Sequence, residues 1–574
     1  MAYPTLEGSA TIATVVCTTL FFFIVAVGAA FKKESGGWYT PMEFLKLVRT
    51  PNVHWLSAKN SLPWQQVGMS YFAGGMGAWV YYGTTEMGAN TRLSWWGVLG
   101  YSLASASPAI VMFYIAPAIK DFVGDKNGFS VTDFALSRFG RTTQLVAAFM
   151  STMYLFIFLA AEISSISNVA VMFCGESDEY TRKVIIATLC VITLAYTMLC
   201  GLPASVVTDR IQGVMICGFI LFFTILVSAK NRVSASELKA ASKSTTSGFV
   251  VMVTLIIAVL AAELFNAGQW QRVYAAKSTQ DLRKGLALGA ALIFIVMWFF
   301  GVLGVIAAAK FADDFATDDF AIKKYPYKAF FYLAENLGKG WHVLILIFAT
   351  ALCVSSVDSI QNGLTSVLYR DILNYGVPVN SVRVICAALN VGAIFVAIDK
   401  IDVLSLFLMV DLVCALAAPA LYLGVIRKDI NKFIVAPTEV GALMGIVSAS
   451  IAVIVQGAVL DLDGAWTDVY GSVHSTKAAA DLWGPPSIHR AWGPFGNFWL
   501  PDGTTVEGGG LQAFGGKRTL LTFILATVFS TFGTMFFSWL DIYFRGERAR
   551  KPLIEFKADK IQTETKASTD EEKV

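Results

Sequence analysis

Ala73-Gly74-Gly75-Met76-Gly77-Ala78-Trp79 sits inside an apolar stretch of about 18 residues, 66–83, and places three glycines within four positions. Each glycine lowers helix stability by about 1 kcal/mol relative to alanine, so a helix running through this stretch loosens here. In hydrocarbon an unpaired backbone group is too costly to leave exposed. A helix can therefore break at membrane depth only where it lines a cavity or a site. A break here frees carbonyls for a cation; the competing explanation is close helix packing through small residues.

The surroundings show that lipid is the solvent. The chain has 574 residues, 56% hydrophobic and 15% charged, and uncharged runs long enough to cross a bilayer recur along it. One run lies between Lys284 and Lys310. Thirteen spans are expected: 9–31, 66–83, 96–118, 143–173, 184–200, 208–229, 248–271, 285–309, 342–369, 382–398, 403–426, 434–456 and 519–541. The chain reads as an all-α polytopic membrane protein with a single transmembrane domain, 1–551. Residues 457–518 form an extracellular loop, and 552–574 a disordered cytoplasmic tail.

The first apolar run has no Lys or Arg before it and is followed by Lys32 and Lys33, the reverse of a signal peptide. It reads as a permanent span with the N-terminus outside. An odd span count then puts the C-terminus in the cytoplasm, with Arg138, Arg141, Arg283, Arg427 and Arg545 in cytoplasmic loops. Lys230, Arg232, Lys239 and Lys243 would lie outside and run against that pattern. The plasma membrane is the expected location.

Several functions are disfavoured. A net charge of +3, with basic residues confined to loops, gives no nucleic-acid surface. The eight cysteines lie mostly within apolar runs, without paired spacing for disulfides or zinc. No His-Glu-x-x-His pair occurs among the four histidines, and no catalytic constellation points to an enzyme.

Two further segments carry chemistry. The seventh span ends in Leu264-Phe265-Asn266-Ala267-Gly268-Gln269-Trp270-Gln271-Arg272, which is either a second broken helix or a helix end at the interface. Two interrupted helices five spans apart are what an inverted-repeat transporter places around a midplane site. The ninth span contains Ser355-Ser356-Val357-Asp358-Ser359, whose hydroxyls suit a small hard cation or bond back to their own helix. Asp358 is a carboxylate at membrane depth, costly unless paired or wet, and a candidate proton or charge site. Glu162, Glu263, Asp411 and Asp209 are further acidic residues in apolar surroundings. Tyr154 stands alone in the fourth span, as packing or as a solute ligand.

In sequence order, Leu62-Pro63-Trp64, Ala73 to Trp79, Gly128 to Gly140, Gly201-Leu202-Pro203-Ala204-Ser205-Val206-Val207-Thr208-Asp209-Arg210-Ile211-Gln212 and Ser355 to Asp371 resemble the solute:sodium symporters. That family includes sodium/proline, sodium/glucose and urea/polyamine transporters. The resemblance implies inverted five-helix repeats, about 66–229 and 248–426, with two broken helices. It implies a sodium site from the carbonyls of Ala73, Met76 and Leu352 and the hydroxyls of Ser355 and Ser356, with Asp209 serving a second cation or its exit. Gly77, Trp79 and Tyr154 would line the solute pocket, joined by Asn266 at the second break.

Proline-type members carry an aspartate where this chain has Gly75. Sugar transporters carry a glutamine near Val80 and an asparagine near Phe158, which disfavours a sugar here. Trp270-Gln271-Arg272 resembles the urea-transporting branch. The expected activity is therefore sodium-coupled import of a small polar organic solute, with urea first and proline or another amino compound next. Coupling to a proton and a non-transporting sensor on the same fold are the alternatives. The sequence gives no oligomeric state.

Overall fold

The computed structural model describes residues 6–553 except 33–36, 50–57, 91–92, 124–129, 176–177, 243–244, 312–327, 336, 374–378, 399–402, 432–433, 461–464, 468–472 and 476–516. Most of the loop expected over 457–518 and nearly all of the tail after 551 thus lie outside the described residues.

Helices dominate: α1 (Gly8–Ala30), α2 (Pro41–Arg49), α3 (Trp64–Gly75), α4 (Gly83–Ala89), α5 (Ser94–Val123), α6 (Val131–Arg138), α7 (Arg141–Cys174) and α8 (Glu179–Lys230). There follow α9 (Ala235–Ala241), α10 (Thr246–Glu263), α11 (Ala267–Ala275), α12 (Thr279–Lys310), α13 (Ala329–Ala334), α14 (Lys339–Ser366), α15 (Val379–Ile398), α16 (Val403–Tyr422), α17 (Glu439–Leu460) and α18 (Lys517–Arg545). A short hairpin, Ala465–Thr467 with Val473–Ser475, is the one described sheet. Large apolar side chains stand exposed on the outer faces, among them Ile24, Phe395, Ile451 and Phe532. On a soluble protein that surface would be a liability; around a bundle in lipid it is the solvent-facing side.

Nine described helices are long and apolar enough to cross a bilayer, and the α10–α11 pair, bent by 66°, makes a tenth. The remaining three expected spans have physical reasons for escaping that test. At 52 residues α8 would run about 78 Å, more than twice a bilayer core, if straight. It is divided at Gly201 (φ 66°, ψ −175°), a backbone region that glycine adopts readily, with Pro203 opening the second half. The α3 span is broken into α3, a 3₁₀ turn over Ala78–Tyr81 and α4. The end of α16 is a shorter apolar helix. Thirteen crossings result, as the sequence implies.

The two broken spans head equivalent series of five. The first comprises α3/α4, α5, α7 and the two halves of α8; the second comprises α10/α11, α12, α14, α15 and α16. Close contact between the series rests on glycine. A Cβ at Gly304 would overlap the Thr85 carbonyl, and one at Gly88 the Gly301 carbonyl, so α12 and α4 pack backbone to backbone. Gly304→Val is expected to lose at least about 1–3 kcal/mol through overpacking, read as a lower unfolding temperature and less folded protein recovered from membranes. Outside the ten-helix core, α17 and α18 pair similarly, with Gly445 against Thr534 and Gly533 against Ser448. Arg138, at the end of α6, donates to the carbonyls of Gly424 (2.9 Å) and Pro437 (2.7 Å) and fastens the core to α17. Burial pushes its pKa down to about 10, so it stays charged at neutral pH.

Candidate functional site

The first break runs through the glycine stretch. Met76 is extended (φ −104°, ψ 120°), and so is Gly77 (φ −120°, ψ −176°). The Ala78 N–H, which an unbroken helix would give to the Gly74 carbonyl, donates to Glu162 Oε2 on α7 at 3.2 Å. The Val80 N–H, owed to Met76, goes to Gly77 O at 3.4 Å. The carbonyls of Gly74 and Met76 are thereby released from the helical ladder.

At the second break Asn266 caps α11, its side chain accepting from the Gln269 N–H at 3.3 Å. The carbonyls freed there are taken up internally. Leu264 O accepts from Trp270 Nε1 at 2.8 Å and from the Tyr422 hydroxyl, and Phe265 O accepts from Ser151 Oγ at 2.7 Å. Gln269 joins the breaks, its Nε2 donating to Tyr71 O on α3 at 3.2 Å.

A polar cluster lies between α3, α8, α11 and α14. Asp209 accepts from Ser355 Oγ at 2.7 Å, from Arg272 Nη2 at 3.1 Å and from the Ser70 hydroxyl. Arg272 also donates from Nη2 to Ser359 Oγ at 2.6 Å, from Nε to Ser70 Oγ at 3.0 Å and from Nη1 to Gly268 O at 2.9 Å. Both charged side chains have no solvent exposure. A Cβ on Gly74 would meet Ser359 Oγ at 2.6 Å and Arg272 Nη2 at 3.2 Å, so the broken helix lies directly against this cluster. Ser356 bonds back to its own helix, donating to Cys353 O at 3.0 Å and Leu352 O at 3.3 Å. The oxygens are hydroxyl, carbonyl and carboxylate, a donor set suited to a hard cation.

Asp358 lies at the edge of this cluster, near enough to interact with the charges of Asp209 and Arg272. Its Oδ1 accepts from Thr197 Oγ1 at 3.0 Å and Asn362 Nδ2 at 2.8 Å, while Oδ2 has no partner.

Between the two breaks lies a cavity of about 690 Å³, counting its open mouth. The broken helices supply Gly75, Met76, Trp79, Glu263 and Gln269; Tyr101 comes from α5, Tyr154 and Phe158 from α7, and Phe407 and Asp411 from α16. Its aromatic rings touch, with centroids 5.5 Å apart for Trp79 and Tyr101, 5.7 Å for Tyr154 and Phe158, and 5.6 Å for Phe158 and Phe407. Glu263 is held from two sides, by the Tyr154 hydroxyl at 2.6 Å and Asn266 Nδ2 at 3.0 Å. Asp411 lies near enough to interact with its charge. No lysine or arginine lines the cavity among the described residues.

Of the expected solute residues, Trp79 and Tyr154 line this cavity. Gly77 and Asn266 do not: Gly77 abuts the Glu162 carboxylate, and Asn266 acts behind Glu263. Arg272 was visible in the sequence only as part of a polar helix end. Its central place depends on the 66° bend, which turns α11 into the bundle.

A family model for the sodium:solute symporters matches residues 55–448. The chain belongs to the sodium:solute symporter family. As a member it is a multi-pass membrane transporter and not an enzyme; sodium is the coupling ion for symport of a small organic solute. This symporter is similar to the spermidine transporter DUR31 of Candida albicans, 24% identical over 466 residues, covering 79% of this chain and 83% of that one. It is also similar to the sodium/glucose cotransporter of Vibrio parahaemolyticus, 25% identical over 55% of this chain and 62% of that one. With sodium/myo-inositol cotransporter 2 of Bos taurus it shares 24% identity, over 74% and 64% of the respective chains. The fold matches a sodium-coupled sialic acid symporter solved in a substrate-bound outward-open state, with a TM-score of 0.63, 15% identity and coverage of 92% of this symporter and 97% of that chain.

Proposed function

We propose that this symporter imports a small nitrogen-bearing solute, and that the solute is an amine cation rather than urea or a sugar. The observation that carries this reading is the pair of carboxylates, Glu263 and Asp411, in a cavity walled mainly by aromatic and aliphatic side chains and lacking any basic side chain among the described residues. Buried charge of one sign is costly unless matched. An ammonium group matches it, and the faces of Trp79, Tyr101 and Tyr154 add cation–π attraction of about 0.5–2 kcal/mol each. Urea is neutral and would leave both carboxylates without a counter-charge. The relative named as a spermidine transporter points the same way.

Sodium would bind between carbonyls at the first break, Met76 O released from the ladder and Ala73 O accepting only a long 3.4 Å bond from the Met76 N–H, and the hydroxyls of α14. Ala73, Met76, Leu352, Ser355 and Ser356 are the ligands, and Asp209, paired with Arg272, provides the adjoining negative charge. Sodium at this place fixes the break whose other side carries Trp79 and the cavity wall. Ion and solute thus favour the same arrangement of the repeats, which is the differential affinity that coupling needs. Removing one hydroxyl ligand is expected to cost about 1 kcal/mol. Ser355→Ala should then raise the sodium concentration for half-maximal uptake by about fivefold; an unchanged sodium dependence would count against the site.

The test is uptake of labelled spermidine, urea and proline by cells expressing the full chain, in sodium and in choline media. Sodium-dependent spermidine uptake that excess urea fails to inhibit is the expected result. Sodium-dependent urea uptake would overturn the amine reading. Uptake of none of the three would count against the amine reading and favour another solute or the non-transporting sensor.

A further inference from the structure

The chain that leaves α18 does not run straight out into solvent. Gly546, with φ 55°, turns it at the helix end, and a 3₁₀ turn over Gly546–Arg550 returns it to the body of the protein. Ala549 is buried there. Arg550 Nη2 meets Asp429 Oδ2 at 2.7 Å, and the Leu553 N–H donates to Glu439 Oε2 at 2.6 Å. Glu439 is itself buried, in the first turn of α17. Between these anchors Pro552 lies over Gly140, so closely that a Cβ on Gly140 would come within 2.7 Å of Pro552 Cβ and 2.8 Å of Glu439 Oε2.

The anchors belong to different parts of the molecule. Gly140 opens α7, in the first series of five helices. Asp429 lies on the connection that leaves α16, the last helix of the second series, and Glu439 begins the helix to which that connection leads. Asp429 also accepts from the Ala436 N–H at 2.8 Å, which holds the connection in shape. Arg138 ties the same parts from α6, donating to the Gly424, Ile426 and Pro437 carbonyls. Residues 546–553 therefore lie across a joint between the two series. They fall outside residues 55–448, which the family model matches.

Alternating access turns one series against the other, so a contact that crosses between them is made in one arrangement and altered in the next. This contact is built to yield. The ion pair is more than a third exposed on both sides and adds little, and one N–H on a carboxylate does most of the holding. We propose that residues 546–553 form a conformational strap, docked across this joint in the arrangement sodium favours and released when the series turn on one another. Strap and sodium then stabilise each other, although they touch different helices. A strap of this kind needs the alternating arrangements of sodium symport and is independent of the solute's identity.

Hydrogen–deuterium exchange of the strap amides, read by mass spectrometry on the purified full chain, tests this without any solute. At equal concentrations of sodium and choline, which screen the ion pair alike, exchange over 546–553 is expected to be about fivefold slower in sodium. The double variant Arg550→Gln with Leu553→Pro removes the ion pair and the N–H donor without altering a membrane helix. Its strap should exchange fast in both media, and by reciprocity it should bind radioactive sodium about fivefold more weakly than wild type. Wild type that binds sodium while its strap exchanges equally fast in both media overturns the proposal. A double variant with wild-type sodium affinity overturns it too.

Discussion

Replacing Arg272 by methionine is expected to destabilise the folded symporter by about 3–5 kcal/mol, because it strands a buried charge. Asp209 and Arg272 have no solvent exposure, and the guanidinium is also the donor to Ser70, Ser359 and the Gly268 carbonyl. With methionine in place, Asp209 keeps only the Ser70 and Ser355 hydroxyls. The double variant Arg272→Met with Asp209→Asn removes both charges and should recover most of the loss, since a buried pair exchanged as a unit is close to neutral. Thermal unfolding of detergent-purified protein reads both. A single variant as stable as wild type would mean that Asp209 carries no charge, and the cation cluster would need another source of negative potential.

Glu263→Gln and Asp411→Asn are each expected to weaken transport of an amine cation by about 10–100-fold in KM, as loss of a charge-assisted hydrogen bond worth about 1.5–3 kcal/mol implies. The double variant should lose saturable spermidine uptake altogether. Its sodium binding should remain, because the Asp209 cluster lies between other helices. Labelled-spermidine kinetics on the variants decides the matter: a KM within twofold of wild type in both single variants would place recognition of the solute elsewhere. A change in kcat without a change in KM would assign the carboxylates to the conformational step instead.

The spans were legible because a bilayer imposes one length and one composition, which nine described helices and one bent pair meet. The break at Gly74-Gly75-Met76-Gly77 was legible because glycine is costly in a helix, whichever fold surrounds it. Ser355 and Asp209, hydrogen-bonded across 146 positions of sequence, came together on paper only through the family resemblance. What stayed hidden depends on tertiary direction. Gln269-Trp270-Gln271-Arg272 has the polarity of a helix end at the membrane surface, and a 66° bend is what buries all four. Phe407 and Asp411 look like an apolar helix with a stray acid until α16 is seen against α7 and α10. Gly77 was expected at the solute pocket from the family resemblance, and in the structure it packs against the Glu162 carboxylate.

The most direct test of sodium-driven amine symport is the accumulation of labelled spermidine in proteoliposomes containing only this chain, with an inward sodium gradient and no proton gradient. The expected result is accumulation above the external concentration that collapses when a sodium ionophore dissipates the gradient. Equilibration to the external concentration regardless of the sodium gradient, or accumulation that follows an imposed proton gradient instead, would contradict it.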